Sequence, residues 1–249
     1  MKTLIKFWPF AVVFLVALAY AAQAEPVGAN ATKVGNSQRA GLYNTSLSVP
    51  AQAGNVTEVL VVSNSVTKHW QGYFGNVTGS IILANAAGNN LYQWPMGIVR
   101  GEIFASRNSS RINWTGVNCA AQGNVVNEDA YVNASPTIDL DSVNQTFNYT
   151  THPTFQISSN TLTGCPSTPV NGSSATAAGF WNVFLTDNGT DPVSSIDDIS
   201  IYATLIDADK IGFNGNTYDF QMLVGENGNG SEEFPNGNPT TYFFYVELS

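Results

Sequence analysis

Twelve asparagines in this chain are each followed two residues later by serine or threonine, the pattern that accepts N-linked oligosaccharides. Random placement of the 27 asparagines and 42 serines and threonines after residue 24 would give only about five such sites. The acceptors are Asn30, Asn44, Asn55, Asn76, Asn108, Asn113, Asn133, Asn144, Asn148, Asn171, Asn188 and Asn229. This enrichment predicts a secreted surface protein that carries covalent N-glycans.

Residues suited to acid–base or nucleophilic catalysis are scarce. The only histidines are His69 and His152, and neither lies in a nucleophile motif such as G-x-S-x-G. Glycoside hydrolysis needs only two carboxyl groups, so it stays open as a third alternative. Most of the acidic residues lie in turn-like clusters, such as Asp197-Asp198 and Glu232-Glu233. The sequence therefore predicts a protein that is not an enzyme and has no catalytic residues.

Two oxygen-rich segments are candidates for a structural calcium ion. Asp187 to Asp191 reads DNGTD, and Asp207-Ala208-Asp209 opens a second polar turn. The second segment departs from the EF-hand loop, because Ile211 and Tyr218 stand where oxygen ligands belong. Solvated turns of an antiparallel sheet explain both segments as well. No cofactor or metal-ligand set is predicted, and calcium remains an alternative.

Cys119 and Cys165 are the two cysteines of the chain. In an oxidising compartment, two exported cysteines are expected to pair, which predicts an intramolecular disulfide. A reactive thiol or a metal ligand is the alternative.

The first 24 residues have the features of a cleaved secretory signal peptide. Lys2 and Lys6 precede an apolar stretch from Phe7 to Ala22, and Ala22-Gln23-Ala24 is a small-x-small cleavage signal. The stretch is shorter than a membrane-spanning helix, and no membrane span is predicted. Its removal leaves 7 basic and 18 acidic residues, a net charge of −11, which argues against nucleic acid or anionic membranes as partners.

Apolar residues recur with a period of two along most of the chain, which predicts an all-β fold with little helix. The predicted class is an antiparallel β-sandwich of Greek-key or jelly-roll type. A hairpin is predicted around a Gly-Asn turn, and the segment from Cys119 to Pro169 is expected to form loops and edge strands. The predicted strands are Val56–Ser63, Gly79–Ala84, Leu91–Trp94, Gly101–Ser106, Arg111–Thr115, Phe180–Thr186, Ile199–Ile206, Thr217–Val224 and Thr241–Leu248.

Residues 25–54 differ from the sandwich domain predicted for residues 55–249. They are rich in Gly, Asn and Ala, and they lack a compact hydrophobic pattern. Tyr43, Thr45, Leu47 and Val49 alternate with polar residues, as on one face of a strand without a hairpin partner. This pattern predicts an extended N-terminal segment that can donate a strand to another sheet, with pairing inside its own domain as the alternative.

Six aromatic residues could form a stacking platform for sugars or belong to the core of the sandwich. Core packing is favoured, because each buried aromatic side chain removes about 150–250 Å² from water. They are Trp70, Tyr73, Phe74, Trp94, Trp114 and Trp181.

The segment HWQGYFGNVTGSI (residues 69–81), followed by LYQW (residues 91–94), is similar to archaeal surface proteins. The wider arrangement resembles subunits of archaeal threads and bundling pili. The resemblance implies secretion through a cleaved signal peptide, heavy glycosylation and head-to-tail assembly by donor-strand complementation. In such assembly, an N-terminal strand of one subunit completes the sheet of the next.

The leading hypothesis is therefore a structural subunit of an extracellular, glycosylated cell-surface filament. Its partners would be copies of itself, with other surface glycoproteins as further candidates. The alternative is a monomeric or S-layer-associated surface domain that binds carbohydrate.

Overall fold

The computed structural model describes residues 25–40, 48–62, 65–110, 112–170, 179–187, 198–227 and 239–249. Within these ranges, the chain is mostly strand in antiparallel sheets, with two short α-helices. The predicted all-β, sandwich-like class is confirmed. No helix in the described ranges is long and apolar enough to cross a membrane.

The largest sheet has seven strands among the described residues, and all of its neighbouring strands are antiparallel. One of the seven, β9 (Ser167–Val170), pairs with β10 (Phe180–Thr186) and lies outside the linear order of the other six strands. Across the sheet the order is β1 (Val27–Gly28), β15 (Phe243–Leu248), β5 (Gly101–Ser106), β11 (Ser200–Leu205), β10 (Phe180–Thr186) and β6 (Asn118–Cys119). Below, this is called the central sheet.

Smaller two-stranded sheets surround the central sheet. They are β2 (Trp70–Gly75) with β14 (Phe220–Gly225), β3 (Ser80–Ala84) with β4 (Asn90–Pro95), β7 (Phe155–Ile157) with β8 (Asn160–Leu162), and β12 (Lys210–Ile211) with β13 (Thr217–Tyr218).

Both faces of the central sheet are covered, and each has its own core. Side chains alternate along a strand, so Ile103 and Ala105 of β5 face one core while Phe104 faces the other. The first core includes Phe184, Tyr202 and residues of β14. The second includes the β7–β8 hairpin and the buried Cys165. A sheet covered on both faces explains why β5, β10 and β11 are almost continuously buried.

The middle of the chain contains two helices that the sequence pattern did not predict. The first, α1, spans Gln122–Tyr131, and the second, α2, spans Val143–Thr146. The Ser142 hydroxyl accepts a hydrogen bond from the Gln145 N–H at 3.2 Å and so caps α2. The buried residues of α1 include Glu128 and Asp129, so the helix has no apolar stripe. The expected loops and edge strands are therefore only part of this region.

A buried ion pair fastens α1 to the central sheet. The guanidinium of Arg107, which directly follows β5, donates to both carboxylate oxygens of Glu128. Glu128 also accepts from the Tyr202 and Ser200 hydroxyls, each at 2.7 Å. Burial alone would lower the pKa of Arg107, but hydrogen bonds and charge from Glu128 outweigh it and raise that pKa above its ordinary value. Arg107 therefore forms an ion pair with Glu128 inside the protein.

The predicted strands correspond closely to the structure in most places. The hairpin around the Gly-Asn turn is confirmed as β3–β4, and the strands from Gly101, Phe180, Ile199 and Thr241 are confirmed as β5, β10, β11 and β15. The segment predicted at Thr217–Val224 forms two strands, β13 and β14.

Two strand predictions were wrong. In the Arg111–Thr115 segment, Trp114–Gly116 forms a 3₁₀ turn, because the Trp114 ring packs inward against Phe104 and Tyr245. Residues 56–62 form no ladder with another described strand, and Ser63, the last residue of the predicted strand, lies outside the described residues. Their apolar pattern therefore exists without a partner inside the described chain.

A disulfide joins Cys119 of β6 to Cys165, with the two Cα atoms 4.8 Å apart. Cys165 is fully buried, and its backbone N–H donates to Nε2 of His152 at 2.9 Å. Because Nε2 accepts this bond, the other ring nitrogen carries the proton and donates to the Pro153 carbonyl at 2.8 Å. Burial lowers the pKa of His152. The histidine is a neutral structural residue beside the cross-link.

We expect the double substitution Cys119→Ser, Cys165→Ser to lower the free energy of unfolding by roughly 2–4 kcal/mol, because the open chain regains loop entropy when it unfolds. Urea unfolding of the variant and of the oxidised wild-type protein measures the difference. Wild-type protein kept reduced, without alkylation, is the control and should lose a similar amount of stability. Equal stability of oxidised and reduced wild-type protein would contradict this prediction.

Candidate functional site

The most exposed apolar segment in the described chain is Val56–Val62, which we call the free strand segment. The exposed fractions are 102% for Val56, 88% for Leu60, 82% for Val61 and 75% for Val62. Its sequence is VTEVLVV, so apolar residues occur on both faces of the extended chain. Strands that are apolar on both faces are typical of positions between two layers. The segment has the composition of a core strand and the exposure of a loop.

The β3–β4 hairpin is the second exposed apolar feature. Ile81, Ile82 and Leu83 are each 50% exposed, and Tyr92 and Trp94 of the opposite strand are 57% and 46% exposed. Residues 81 and 82 point to opposite faces, so neither face is covered. An isolated two-stranded hairpin is only marginally stable in water. Below, this element is called the exposed hairpin.

One edge of the central sheet is also largely open. The edge strand β15 has six residues, and β1 pairs with only two of them, Val246 and Tyr245. One further bond runs from the Ala29 N–H to the Phe244 carbonyl at 2.9 Å. Among the described residues, no further strand pairs with this side of β15.

The sequence-predicted donor residues lie only partly within the described chain. Tyr43, Thr45 and Leu47 lie outside the described residues, while Val49 is described and 55% exposed. The described residues 29–40 and 48–62 contain no strand or helix. The role of the four residues as a donor strand stays a prediction.

Eight of the twelve glycosylation acceptors lie in the described ranges, and none of these eight is buried. Asn108 and Asn144 are half-buried. The exposed six are Asn30, Asn55, Asn76, Asn113, Asn133 and Asn148. Asn44, Asn171, Asn188 and Asn229 lie outside the described residues. Attachment of sugar to the exposed six is sterically feasible, and occupancy remains a prediction.

A pocket with two facing carboxyl groups lies at the end of the central sheet, under the start of the β7–β8 hairpin. Glu102 of β5 pairs directly with Glu247 of β15, so their side chains extend on the same face. The cavity holds about 490 Å³, and its walls include Trp181, Leu205 and Gln156. We call this the carboxylate pocket.

The two carboxyl groups are poorly solvated, and that of Glu247 is incompletely hydrogen-bonded. Glu102 is only 9% exposed. Burial, and next the charge of Glu247, raise the pKa of Glu102 to about 8. Burial also raises the pKa of Glu247, against a hydrogen bond from the Ser158 backbone. Its Oε2 is buried without a partner. At neutral pH the pair therefore holds a proton.

Gly101 allows β15 to approach β5 closely at this pocket. Its φ of +121° lies in a region that residues with side chains rarely adopt. A Cβ there would lie 2.0 Å from the Glu247 carbonyl oxygen. A glycine is therefore required beside the carboxyl pair.

The sequence analysis did not single out Glu102 or Glu247. The signal was present in the alternation, because Glu102 is in phase with the buried Phe104, and Glu247 with Tyr245. An acid at an inward position of a strand is unusual and points to a special environment.

The other sequence candidates lie apart from this pocket. His69 Nδ1 lies 3.0 Å from the Val132 carbonyl oxygen, and His152 is the structural residue beside the disulfide. Both Asp187 oxygens accept backbone N–H groups, and Asp207 pairs with Lys210 at 2.5 Å. Among the described residues, no group of three or more His, Cys, Asp or Glu could hold a metal ion. The rest of the first calcium candidate, Asn188 to Asp191, lies outside them.

The six aromatic residues do not form one platform. Trp114 is buried, and Trp70 and Tyr73 pack against the first core. Phe74 is 49% exposed, and Trp94 lies on the exposed hairpin. Trp181 lines the carboxylate pocket.

Comparisons with known proteins give no family. A scan against protein-family models finds no match, and searches of curated proteins and of solved structures find no significant similarity.

Proposed function

We propose that this chain is a structural subunit of an extracellular, glycosylated cell-surface filament, assembled head-to-tail by donor-strand complementation. Secretion rests on the predicted signal peptide, and glycosylation rests on the acceptor enrichment. The resemblance to archaeal threads and bundling pili suggests the same class of assembly. The observation that carries the proposal is the free strand segment, Val56–Val62, which is apolar, exposed and without a strand partner among the described residues.

Exposure of such a segment is costly unless another surface covers it. Burying a valine or leucine side chain contributes about 1.5–3 kcal/mol, and this segment has five such residues in seven. Main-chain pairing along a sheet edge would also satisfy its N–H and carbonyl groups. A sheet edge of a second copy meets both needs.

The exposed hairpin is the surface that suits this segment. It offers two open edges, and like the segment it is apolar on both faces. A third strand added to it would give the minimum sheet that is independently stable. Because the donor segment and the receiving hairpin are different surfaces of one chain, each added copy presents a free donor or a free hairpin, so the contact can propagate into a filament.

The sequence-predicted donor residues, Tyr43, Thr45, Leu47 and Val49, remain part of the proposal as a second candidate donor, which precedes the free strand segment in the chain. Two variants separate the contributions: deletion of residues 25–49 and the pair Val59→Asp, Val61→Asp. If the free strand segment is the main donor, the aspartate pair has the larger effect.

We expect the mature chain, residues 25–249, to form filaments visible by electron microscopy. The Val59→Asp, Val61→Asp variant should stay monomeric by light scattering, because it places two charges on one face of the donor segment. The pair Ile138→Asp, Leu140→Asp is the matched control, since these side chains are 78% and 91% exposed outside both candidate donor segments, and it should assemble normally.

Filaments of unchanged yield from the aspartate pair would rule out Val56–Val62 as donor. A mature chain that stays monomeric at all concentrations would instead favour the alternative, a monomeric surface domain that binds carbohydrate.

A further inference from the structure

The carboxylate pocket contains an acceptor atom that is not hydrogen-bonded. Oε2 of Glu247 is buried with no partner among the described residues, and the facing Glu102 is only 9% exposed. Buried polar atoms nearly always have a partner, and unpaired ones call for an explanation. A donor supplied by a ligand would satisfy this atom.

The charges around the pocket favour a neutral ligand. Arg100 lines the wall beside the glutamates, and Lys210 is paired with Asp207 at the other side. Positively charged groups therefore lie near Glu102 and Glu247, so the pocket is not a uniformly negative site that would attract a cation. A metal ion is disfavoured, because no group of three or more ligating side chains occurs among the described residues.

The remaining walls are apolar and aromatic. Trp181, Leu205 and Phe155 line the cavity, and Trp181 is only partly covered. Its neighbour in the chain, Asn182, pairs with Thr204, which places Trp181 and Leu205 together at the same end of the sheet. The combination is a flat apolar wall beside a cluster of hydroxyl-binding oxygens.

A pyranose ring matches this combination. It presents a C–H face that can lie against an indole ring and hydroxyl groups around its rim that donate hydrogen bonds. A cavity of about 490 Å³ lies within the range of small-ligand sites. We propose that the carboxylate pocket binds a neutral saccharide, with its hydroxyls on Glu102 and Glu247 and its apolar face on Trp181. This site is independent of filament assembly.

The pocket proposal is tested on the mature chain with methyl glycosides of glucose, mannose and galactose, and with N-acetylglucosamine. Ligand-observed NMR detects binding, and titration gives the dissociation constants. We expect at least one of these sugars to bind, and Trp181→Ala to weaken it by roughly tenfold or more, because the stacking wall is lost. Phe213→Ala removes an aromatic side chain that is 60% exposed and does not line the pocket, and it should leave binding unchanged.

A second variant separates the site from a folding defect. Glu247→Ala should also weaken binding, while circular dichroism and unfolding of both variants report whether the fold is kept. If N-glycans released from the native protein displace the methyl glycoside, the ligand is a sugar carried by another copy. If they do not displace it, the ligand is a free sugar. If no probe binds, if Trp181→Ala binds as well as wild type, or if butylammonium binds instead of the sugars, the proposal is overturned.

Discussion

Replacement of Arg107 by methionine should lower the free energy of unfolding by roughly 3–5 kcal/mol, which is among the largest single effects expected in this protein. The side chain of Glu128 is 2% exposed, so loss of the guanidinium leaves a carboxylate buried with only the Tyr202 and Ser200 hydroxyls as donors. Arg107 also lies 3.7 Å from the centre of the Tyr131 ring, and this contact is lost as well. Urea unfolding followed by tryptophan fluorescence measures the change.

Two further variants test whether the effect comes from an uncompensated charge. The double variant Arg107→Met, Glu128→Leu should regain most of the lost stability, because both charges are removed together. Lys210→Met breaks the ion pair with Asp207, whose side chain is 57% exposed, and should cost less than about 1 kcal/mol. Equal losses for Arg107→Met and Lys210→Met would show that burial of the first pair has no energetic importance.

Replacement of Glu102 by glutamine should make the protein more stable than wild type at pH 9, by a few kcal/mol, and little different at pH 4. The pKa of Glu102 rises from 4.5 in the unfolded chain to about 8 in the fold. Between these values the folded state keeps a proton that the unfolded state releases, so the wild-type stability falls as the pH rises. Glutamine is neutral throughout and removes this loss.

At each pH, the difference in the free energy of unfolding between wild type and Glu102→Gln separates the contribution of Glu102 from those of other titrating groups. The pKa of His152 is lowered by burial, so that residue costs stability as the pH falls below about 6.5. Glu247, Arg100, Asp207 and Lys210 surround the pocket in both proteins and contribute to both profiles. Glu25→Gln, which removes an exposed carboxyl group far from the pocket in the sequence, is the control for loss of a single charge. A constant difference between pH 4 and pH 9 would contradict the assigned protonation of Glu102.

The parts of the fold that sequence could predict are those with a local signal. The strand Phe180–Thr186 was predicted because it is a run of apolar residues flanked by turn-forming residues. The β3–β4 hairpin was predicted because a Gly-Asn turn separates two strand-forming runs. The helix α1 was missed because its buried face carries Glu128 and Asp129, which are satisfied by Arg107 and by the backbone of α2. No window of sequence contains those partners.

The same reason applies to the carboxylate pocket. Glu102 and Glu247 are far apart in the chain and meet only because β15 pairs with β5 in one register. The free strand segment is the opposite case. Its sequence correctly indicates a strand-forming composition, but pairing depends on a partner that the described chain does not supply. Local pattern thus predicted which residues favour strands and could not predict where each strand pairs.

The exposed apolar segments also have a consequence for the chain before it reaches any partner. An unpaired, β-branched run such as Val56–Val62 is the kind of sequence that drives aggregation during export. Asn55 directly precedes this run and is exposed, and Asn76 lies shortly before the exposed hairpin and is also exposed. A bulky hydrophilic glycan at each position would hinder association of the neighbouring aggregation-prone segment. In the proposed filament subunit, such sugars would keep separate copies apart until ordered pairing replaces random association.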